Sequence, residues 1–183
     1  MNKIVAVVGM PGSGKSEVVK VLEEVHFLKV YFGEVVFERM KKEGLEINEK
    51  NERATREKLR KEGGMGVMAE KSLPKIEEKL KKGDVVVESL YSWEEYLILK
   101  EKYGKKFKVI AVYASPKTRY KRLGKRNVRP LTQEEARSRD YTQIGNLNTG
   151  GPIAIADFTI INEGSRKKLE KETKAFIKIL TRE

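Results

Sequence analysis

Residues 9–16 read Gly9-Met10-Pro11-Gly12-Ser13-Gly14-Lys15-Ser16, or GMPGSGKS. Every fixed position of the phosphate-loop pattern G-x-x-x-x-G-K-[ST] is filled. The context agrees with the motif. An apolar run, Lys3 to Val8, precedes it, and a segment of helical period follows from Lys15 to Val25, with Val18, Leu22 and Val25 on one face. Gly12 and Gly14 permit the torsions that turn successive N–H groups towards one point, and the helix N-terminus adds its dipole there. Lys15 is placed for the β- and γ-phosphates and Ser16 for Mg²⁺. Loop residues 9–16 are therefore expected to cradle a nucleoside triphosphate. A chance glycine turn is the competing reading, and the strand and helix on either side weigh against it. The dinucleotide fingerprint fails at Glu17, where it needs a small residue.

Working outward, strand-like and helix-like runs alternate, the mark of a parallel sheet wrapped by helices. A second strand is expected at 27–32, then helices at 34–42, 51–61 and 67–81. Val85 to Glu88 reads as a buried central strand ending in a carboxylate. Ser92 with Glu95 is a capping box that opens a helix to Tyr103. Phe107 to Tyr113 is the next strand. Ser115-Pro116 starts a helix carrying Arg119, Arg122 and Arg126. Thr132 with Glu135 caps a short helix to Tyr141, 156–161 is the last strand, and Ser165 caps the final helix. The sum is one α/β domain over 1–183. Five parallel strands lie between helices in three layers, with an acceptor-binding insert at 34–81 and a lid insert at 127–152.

The 183 residues carry 39 Lys and Arg against 27 acids, a net charge of +12. The excess points to an anionic partner. No cysteine is present, which excludes disulfide scaffolds, cysteine-ligated zinc and cysteine nucleophiles. Only three acids are aspartates, Asp84, Asp140 and Asp157, and the Lys/Glu-rich surface points to a thermophile. No apolar run nears the ~20 residues that span a bilayer. The reading is a cytoplasmic protein with no membrane partner. No nucleic-acid-binding motif is present, and the sequence leaves the oligomeric state open.

The motif leaves the reaction to be argued. No N-K-x-D and no D-x-x-G run is found, which removes the GTPases, and large motors need a longer chain. Small kinases remain. Between 117 and 129, seven residues are basic and none is acidic. Arg119, Arg122 and Arg126 share a helix face and are expected to clamp the triphosphate from the lid. Glu88, at the carboxyl end of its strand, is the candidate for the acceptor hydroxyl or a Mg²⁺-bound water. Asp84 sits at the wrong end. Glu34 is a weaker acceptor-side candidate, and Asp140 is expected to pair with Arg137 or Arg139. His26 reads as a packing or capping residue and Trp93 as a packing residue.

GMPGSGKS, RPLTQEEARSRD (129–140), ADFTIINEGS (156–165) and EGGMGVMA (62–69) together resemble the dephospho-CoA kinase and nucleotide kinase group, most closely its archaeal dephospho-CoA-kinase-related, adenylate kinase-like branch. The resemblance spans nearly the whole chain. It implies that Asn162, Glu163 and Gly164 lie near the base. It implies that Arg126 and Arg139 reach phosphates, and that Arg39, Arg53 and Arg56 lie in the acceptor-binding insert. It departs where that branch usually has Asp-Gly followed by arginine; here Glu88, Ser89 and Tyr91 stand. The expected activity is transfer of the ATP γ-phosphoryl group, with Mg²⁺, to a small anionic acceptor resembling a nucleotide or coenzyme precursor. The alternative is a nucleotide-dependent ATPase or regulatory protein that binds nucleic acid or another anionic partner.

Overall fold

The computed structural model describes residues 2–127 and 130–180. Five strands form one sheet: β1 (Ile4–Val8), β2 (Leu28–Tyr31), β3 (Val85–Glu88), β4 (Phe107–Tyr113) and β5 (Phe158–Ile161). Their order is β2-β3-β1-β4-β5, and every pairing is parallel. The expected five-stranded parallel sheet is the observed one. Parallel strands need long crossovers, and the helices provide them.

The pleat of β1 explains the three layers. All five of its side chains are buried. Ile4, Ala6 and Val8 point into a core built with Met40, Leu59, Ile76 and Leu99. These come from α2 (Glu34–Lys42), α3 (Glu49–Gly63), α4 (Val67–Leu80) and α5 (Trp93–Tyr103). Val5 and Val7 point the other way, to Val18, Leu22, Leu169 and Phe176 on α1 (Lys15–Glu24) and on the last helix. A strand buried on both faces has no polar side to spend, which is why IVAVV reads as an unbroken apolar run.

Several helix boundaries differ from the sequence expectation. Helix α1 stops at Glu24, and Val25 is 37% exposed rather than part of the apolar stripe. Helix α3 begins earlier than residue 51, because the Asn48 side chain accepts from the Asn51 N–H at 2.9 Å and caps it. Helix α6 (Pro116–Gly124) ends before Arg126, so that arginine stands beyond the helix. Helix α7 (Gln133–Leu147) runs past Tyr141, and a short α8 (Gly150–Ala154) follows in a stretch to which the sequence assigned no element. A Cβ at Gly151 would lie 2.7 Å from the Trp93 ring, so α8 packs there only without a side chain. The packing role expected of Trp93 is the observed one, and it also stacks on Tyr96 with ring centroids 5.1 Å apart. His26 follows α1 in the left-handed region, φ 71°, as a capping residue. The chain closes with α9 (Arg166–Leu180), whose Ser165 side chain accepts from the Lys168 N–H.

The core also reaches into residues 34–81: Met40, Leu59 and Ile76 are buried in it, and α4 packs on β2 and β3. Val128 and Arg129 of the expected lid segment lie outside the described residues. No helix among the described residues is long and apolar enough to cross a membrane.

Candidate active site

The loop after β1 emerges at the carboxyl edge of the sheet, between β3 and β4, where open α/β sheets bind their ligands. Its backbone is fixed by close approaches. Gly9 has φ 147°, and a Cβ there would lie 2.4 Å from the Val112 carbonyl oxygen. Gly12 has φ 79°, and its Cβ would meet the Arg119 carbonyl oxygen at 2.8 Å. Any other residue would push the loop off the sheet. Helix α1 starts at Lys15 with no side-chain cap, so its first N–H groups face the loop, an arrangement suited to an anion.

Lys15 Nζ donates to the Gly9 carbonyl at 2.7 Å and to the Met10 carbonyl at 3.2 Å. Burial pushes its pKa down to about 8, and the positive charges of Arg126, Arg139 and Arg119 push the same way. Glu88 opposes them. Three arginines expected or found near this loop thus add their field at one amine. Such a cluster favours an anion.

Glu88 ends β3 in register with Val7 of β1 and Tyr31 of β2. It is half-buried, with Lys29 Nζ 3.9 Å away. Burial raises its pKa, against the pull of Lys29 and Lys15. Ser16, next to Lys15, is exposed. Among the described residues no cluster of three or more His, Cys, Asp or Glu could hold a metal on its own. One hydroxyl and one nearby carboxylate fit a Mg²⁺ carried in by nucleotide phosphates rather than a resident ion.

Behind the loop, the side chains have structural duties. Asn162 is buried; its Nδ2 donates to the Ser13 carbonyl at 2.8 Å, and its Oδ1 accepts from Arg122 at 3.4 Å. Glu163 accepts from the Ser115 N–H and the Thr118 hydroxyl and so closes the start of α6. The Thr118 hydrogen bond is the main reason that its pKa is lowered. For a base, the backbone of 162–164 is left rather than these two side chains. Gly164 lies in the turn before α9.

Arg119 corrects the expectation of a three-arginine clamp. It is 4% exposed. Its Nε donates to the Ala114 carbonyl at 3.0 Å and its Nη1 to the Pro11 carbonyl at 3.1 Å. Both Nη atoms engage Asp140, at 2.8 and 2.6 Å, and the Tyr120 hydroxyl donates to the same carboxylate. Asp140 therefore pairs with Arg119 and not with Arg137 or Arg139. The reason is the face it occupies: Ala136, Asp140 and Gln143 form the buried side of α7, whereas Arg137 and Arg139 are exposed. One guanidinium ties the phosphate loop, the end of β4 and α7 together. Arg126, past α6, and Arg139, on α7, remain as the exposed pair; burial and Arg139 both lower the pKa of Arg126.

On the other side of Glu88, the candidates divide. Glu34 is held by Lys75. Arg39 pairs with Glu43 and Glu62, and Arg53 with Glu57 at 2.9 Å. Arg56 lies 3.7 Å from Glu49 and 3.9 Å from Glu52 and is among the charges felt by the Tyr31 hydroxyl, together with Tyr91, Glu88 and Glu52. Two further ionisable groups on this side, Arg60 and Glu95, were not singled out from the sequence. Arg60 is largely enclosed, and burial lowers its pKa, with Glu95, Arg56 and Tyr91 as charged or polar neighbours. Glu95 is 1% exposed, and burial pushes its pKa up to about 7. The signal was in the spacing: Glu52, Arg56 and Arg60 recur every four residues on one face of α3. Ser89 stands at φ 70°, a left-handed torsion that favours glycine.

The comparisons fall where this geometry points. The AAA domain family matches residues 8–146. The chain is 35% identical over 178 residues to the UPF0200 protein of Thermococcus kodakarensis, covering 95% of this chain and 96% of that one. Shikimate kinase from Bacteroides thetaiotaomicron superimposes with a TM-score of 0.64 at 11% identity, over 98% of each chain. Dephospho-CoA kinase from Campylobacter jejuni superimposes with a TM-score of 0.59 at 17% identity, over 98% of this chain and 97% of that one. With the phosphate loop at the edge of a five-stranded parallel sheet, and with relatives matched end to end, the chain is a member of the UPF0200 family with a P-loop, kinase-like fold.

Proposed function

We propose that this protein is a MgATP-dependent phosphotransferase acting on a small anionic acceptor. The observation that carries the reading is the placement of Lys15 and Glu88 at neighbouring strand ends, with Arg126 and Arg139 adding positive charge at the same point. The loop N–H groups and Lys15 hold the β- and γ-phosphates. The exposed Ser16 hydroxyl would hold the Mg²⁺ that arrives with the nucleotide, and the chemistry such an ion would supply is neutralisation of charge on the phosphate oxygens. The lid-side segment, 127–152, brings Arg139 to the phosphates, and Arg126 precedes it. The Asn162–Gly164 turn borders the base. Arg122 supports the loop through Asn162.

The acceptor enters on the side of Tyr31, Arg56 and Tyr91. Its hydroxyl oxygen attacks the γ-phosphorus, the bond from that phosphorus to the β–γ bridging oxygen breaks, and ADP leaves with the electron pair. Glu88 takes the hydroxyl proton. Burial raises its basicity, which suits a base working near neutral pH. Most of the rate comes from positioning and from charge aimed at the transferred group.

The test is ADP formation from ATP with a panel of nucleotides, nucleosides, hydroxy acids and coenzyme precursors. The expected result is release that depends on one acceptor class and vanishes in Lys15→Ala. ADP formed equally without any acceptor would replace this reading by a nucleotide-dependent ATPase.

A further inference from the structure

We propose that the lysine faces of α6 and α9 form a docking surface for duplex DNA, which they hold by its phosphates without reading its bases. The inference goes beyond the phosphotransferase reading and does not depend on it.

The surface begins as a pattern. In α9, Lys167, Lys171, Lys174 and Lys178 recur at steps of four, three and four, so they share one helix face. All four are exposed. The buried residues of α9, Leu169, Thr173, Phe176 and Leu180, lie on the opposite face. No acid interrupts the stripe. The glutamates of this helix flank it and are already taken: Glu170 lies 3.2 Å from Arg166, and Glu172 lies 3.8 Å from Lys168. Among the described residues, Lys167, Lys171 and Lys174 form no ion pair. Between the four lysine stems runs an open groove of about 440 Å³, whose other lining residues are Glu170 and Ala175.

Helix α6 extends the charge. Its acid-free basic run is only partly used by the nucleotide site. Arg119 is spent on Asp140 and the Pro11 carbonyl, and Arg122 on Asn162. Lys117, Lys121 and Lys125 are exposed and, among the described residues, unpaired. Lys117 and Lys121 lie opposite the buried Arg119 and Leu123. The two helices start side by side. Glu163, in the turn before α9, accepts from the Ser115 N–H and the Thr118 hydroxyl at the start of α6.

Chemistry chooses the partner. Ammonium groups on flexible stems supply charge rather than a fixed fork, which suits a row of phosphates. At 1.5 Å of rise per residue the α9 stripe is about 16 Å long, and a duplex strand presents a phosphate about every 3.4 Å, so the stripe can follow about four or five of them. An anionic membrane needs an apolar helix face to insert, and that of α9 is packed against α1 and the sheet. A protein partner needs an apolar centre to its interface, and the groove offers only Ala175. A single strand needs aromatic rings for its bases. Those of α6 and α9 are Tyr120, whose hydroxyl donates to Asp140, and Phe176, which is buried. Duplex RNA is recognised partly through its 2′-hydroxyls, whereas lysine can only donate. Duplex DNA asks for phosphate contacts alone.

The experiment follows fluorescence anisotropy of a labelled DNA duplex of roughly 20 base pairs with the full chain, as salt rises from about 50 to about 200 mM. Affinity is expected to fall roughly a hundredfold over that range, the slope for about four neutralised phosphates, whatever the base sequence. The triple variant Lys167→Gln, Lys171→Gln, Lys174→Gln lowers that slope by about 2 to 3 and binds at least about tenfold more weakly at low salt. The arginine triple at the same positions binds like the wild type. A control triple, Lys71→Gln, Lys100→Gln, Lys105→Gln, removes equal charge on the side of α4 and α5 and keeps affinity within about threefold. Saturating AMP-PNP with Mg²⁺ leaves the DNA bound. Absence of DNA binding at low salt would overturn the proposal. So would an equal loss in the two glutamine triples, which marks diffuse charge, or a loss in the arginine triple, which marks a structural role. Displacement by AMP-PNP would put the DNA on the phosphate loop instead. Tighter binding of an RNA duplex, a single strand or phosphatidylglycerol vesicles would likewise overturn the choice of duplex DNA.

Discussion

Two enclosed arginines, Arg119 and Arg60, differ in what surrounds them. Arg119 gives four hydrogen bonds, to two backbone carbonyls and to both oxygens of Asp140. Arg60 has Glu95 nearby but no acceptor on its Nε. A buried charge with its partners present is part of the scaffold. Arg60 is only part-buried, and its Nε is covered without a hydrogen bond. The difference separates an arginine built into the frame of the phosphate loop from one that is not tied to it.

The largest effect is expected at the filled site. Asp140→Ala leaves the Arg119 guanidinium buried without its counter-charge, and removal of one partner of such a pair costs about 3–5 kcal/mol. Urea unfolding should read that loss, and ATP affinity should fall with it, because Arg119 also holds Pro11. Replacing both partners by apolar residues, Arg119→Met with Asp140→Leu, should restore much of the stability but not the affinity. If Asp140→Ala unfolds like the wild type, the pair is not the strut described here.

The next effect separates the two regions by pH. Lys15 has its pKa lowered from 10.5 to about 8, so the unfolded chain binds the proton more tightly. Its charge destabilises the fold below pH 8, and stability from this group rises between pH 8 and 10.5. Bound phosphates favour the charged amine, so MgATP affinity should fall by up to about tenfold per unit as pH climbs above 8. Glu95 runs the other way. Its pKa is raised from 4.5 to about 7, so its contribution is fully present below pH 4.5 and is lost as pH rises to 7. Glu95→Gln should flatten that part of the stability profile. An unchanged profile in Glu95→Gln would place the titration elsewhere.

The smallest effect is expected at the arginines that are already paired on the surface. Arg53 forms an i,i+4 pair with Glu57, both largely exposed. Arg53→Ala should leave stability and the Michaelis constant for the acceptor near their wild-type values. A large rise in that constant would move the acceptor site outward along α3.

These contrasts mark how much the sequence held. The sheet was legible because β1, β3 and β4 are apolar runs bounded by turn residues, and both capping boxes, Ser92 with Glu95 and Thr132 with Glu135, form as their spacing predicts. The phosphate loop was legible because its chemistry lies within eight consecutive residues. Pairings across distant segments were not. Asp140 meets Arg119 from 21 residues away, and only the buried face of α7 decides between it and the adjacent arginines. The partial burial of Arg60 escaped for a related reason: a basic residue on a polar helix looks like surface in the sequence. Helix α8 escaped because its Gly150-Gly151-Pro152 start has no helical propensity, and what calls for glycine at 151 is the distant Trp93 ring.

The central claim is that the loop at 9–16 binds a nucleotide through Lys15. Titration calorimetry with AMP-PNP at millimolar Mg²⁺, on wild type and Lys15→Ala, tests it most directly. Saturable heat from the wild type and its loss in the variant is the predicted result. Absence of heat from ATP, GTP and their analogues with the wild type, or equal binding by Lys15→Ala, would contradict it.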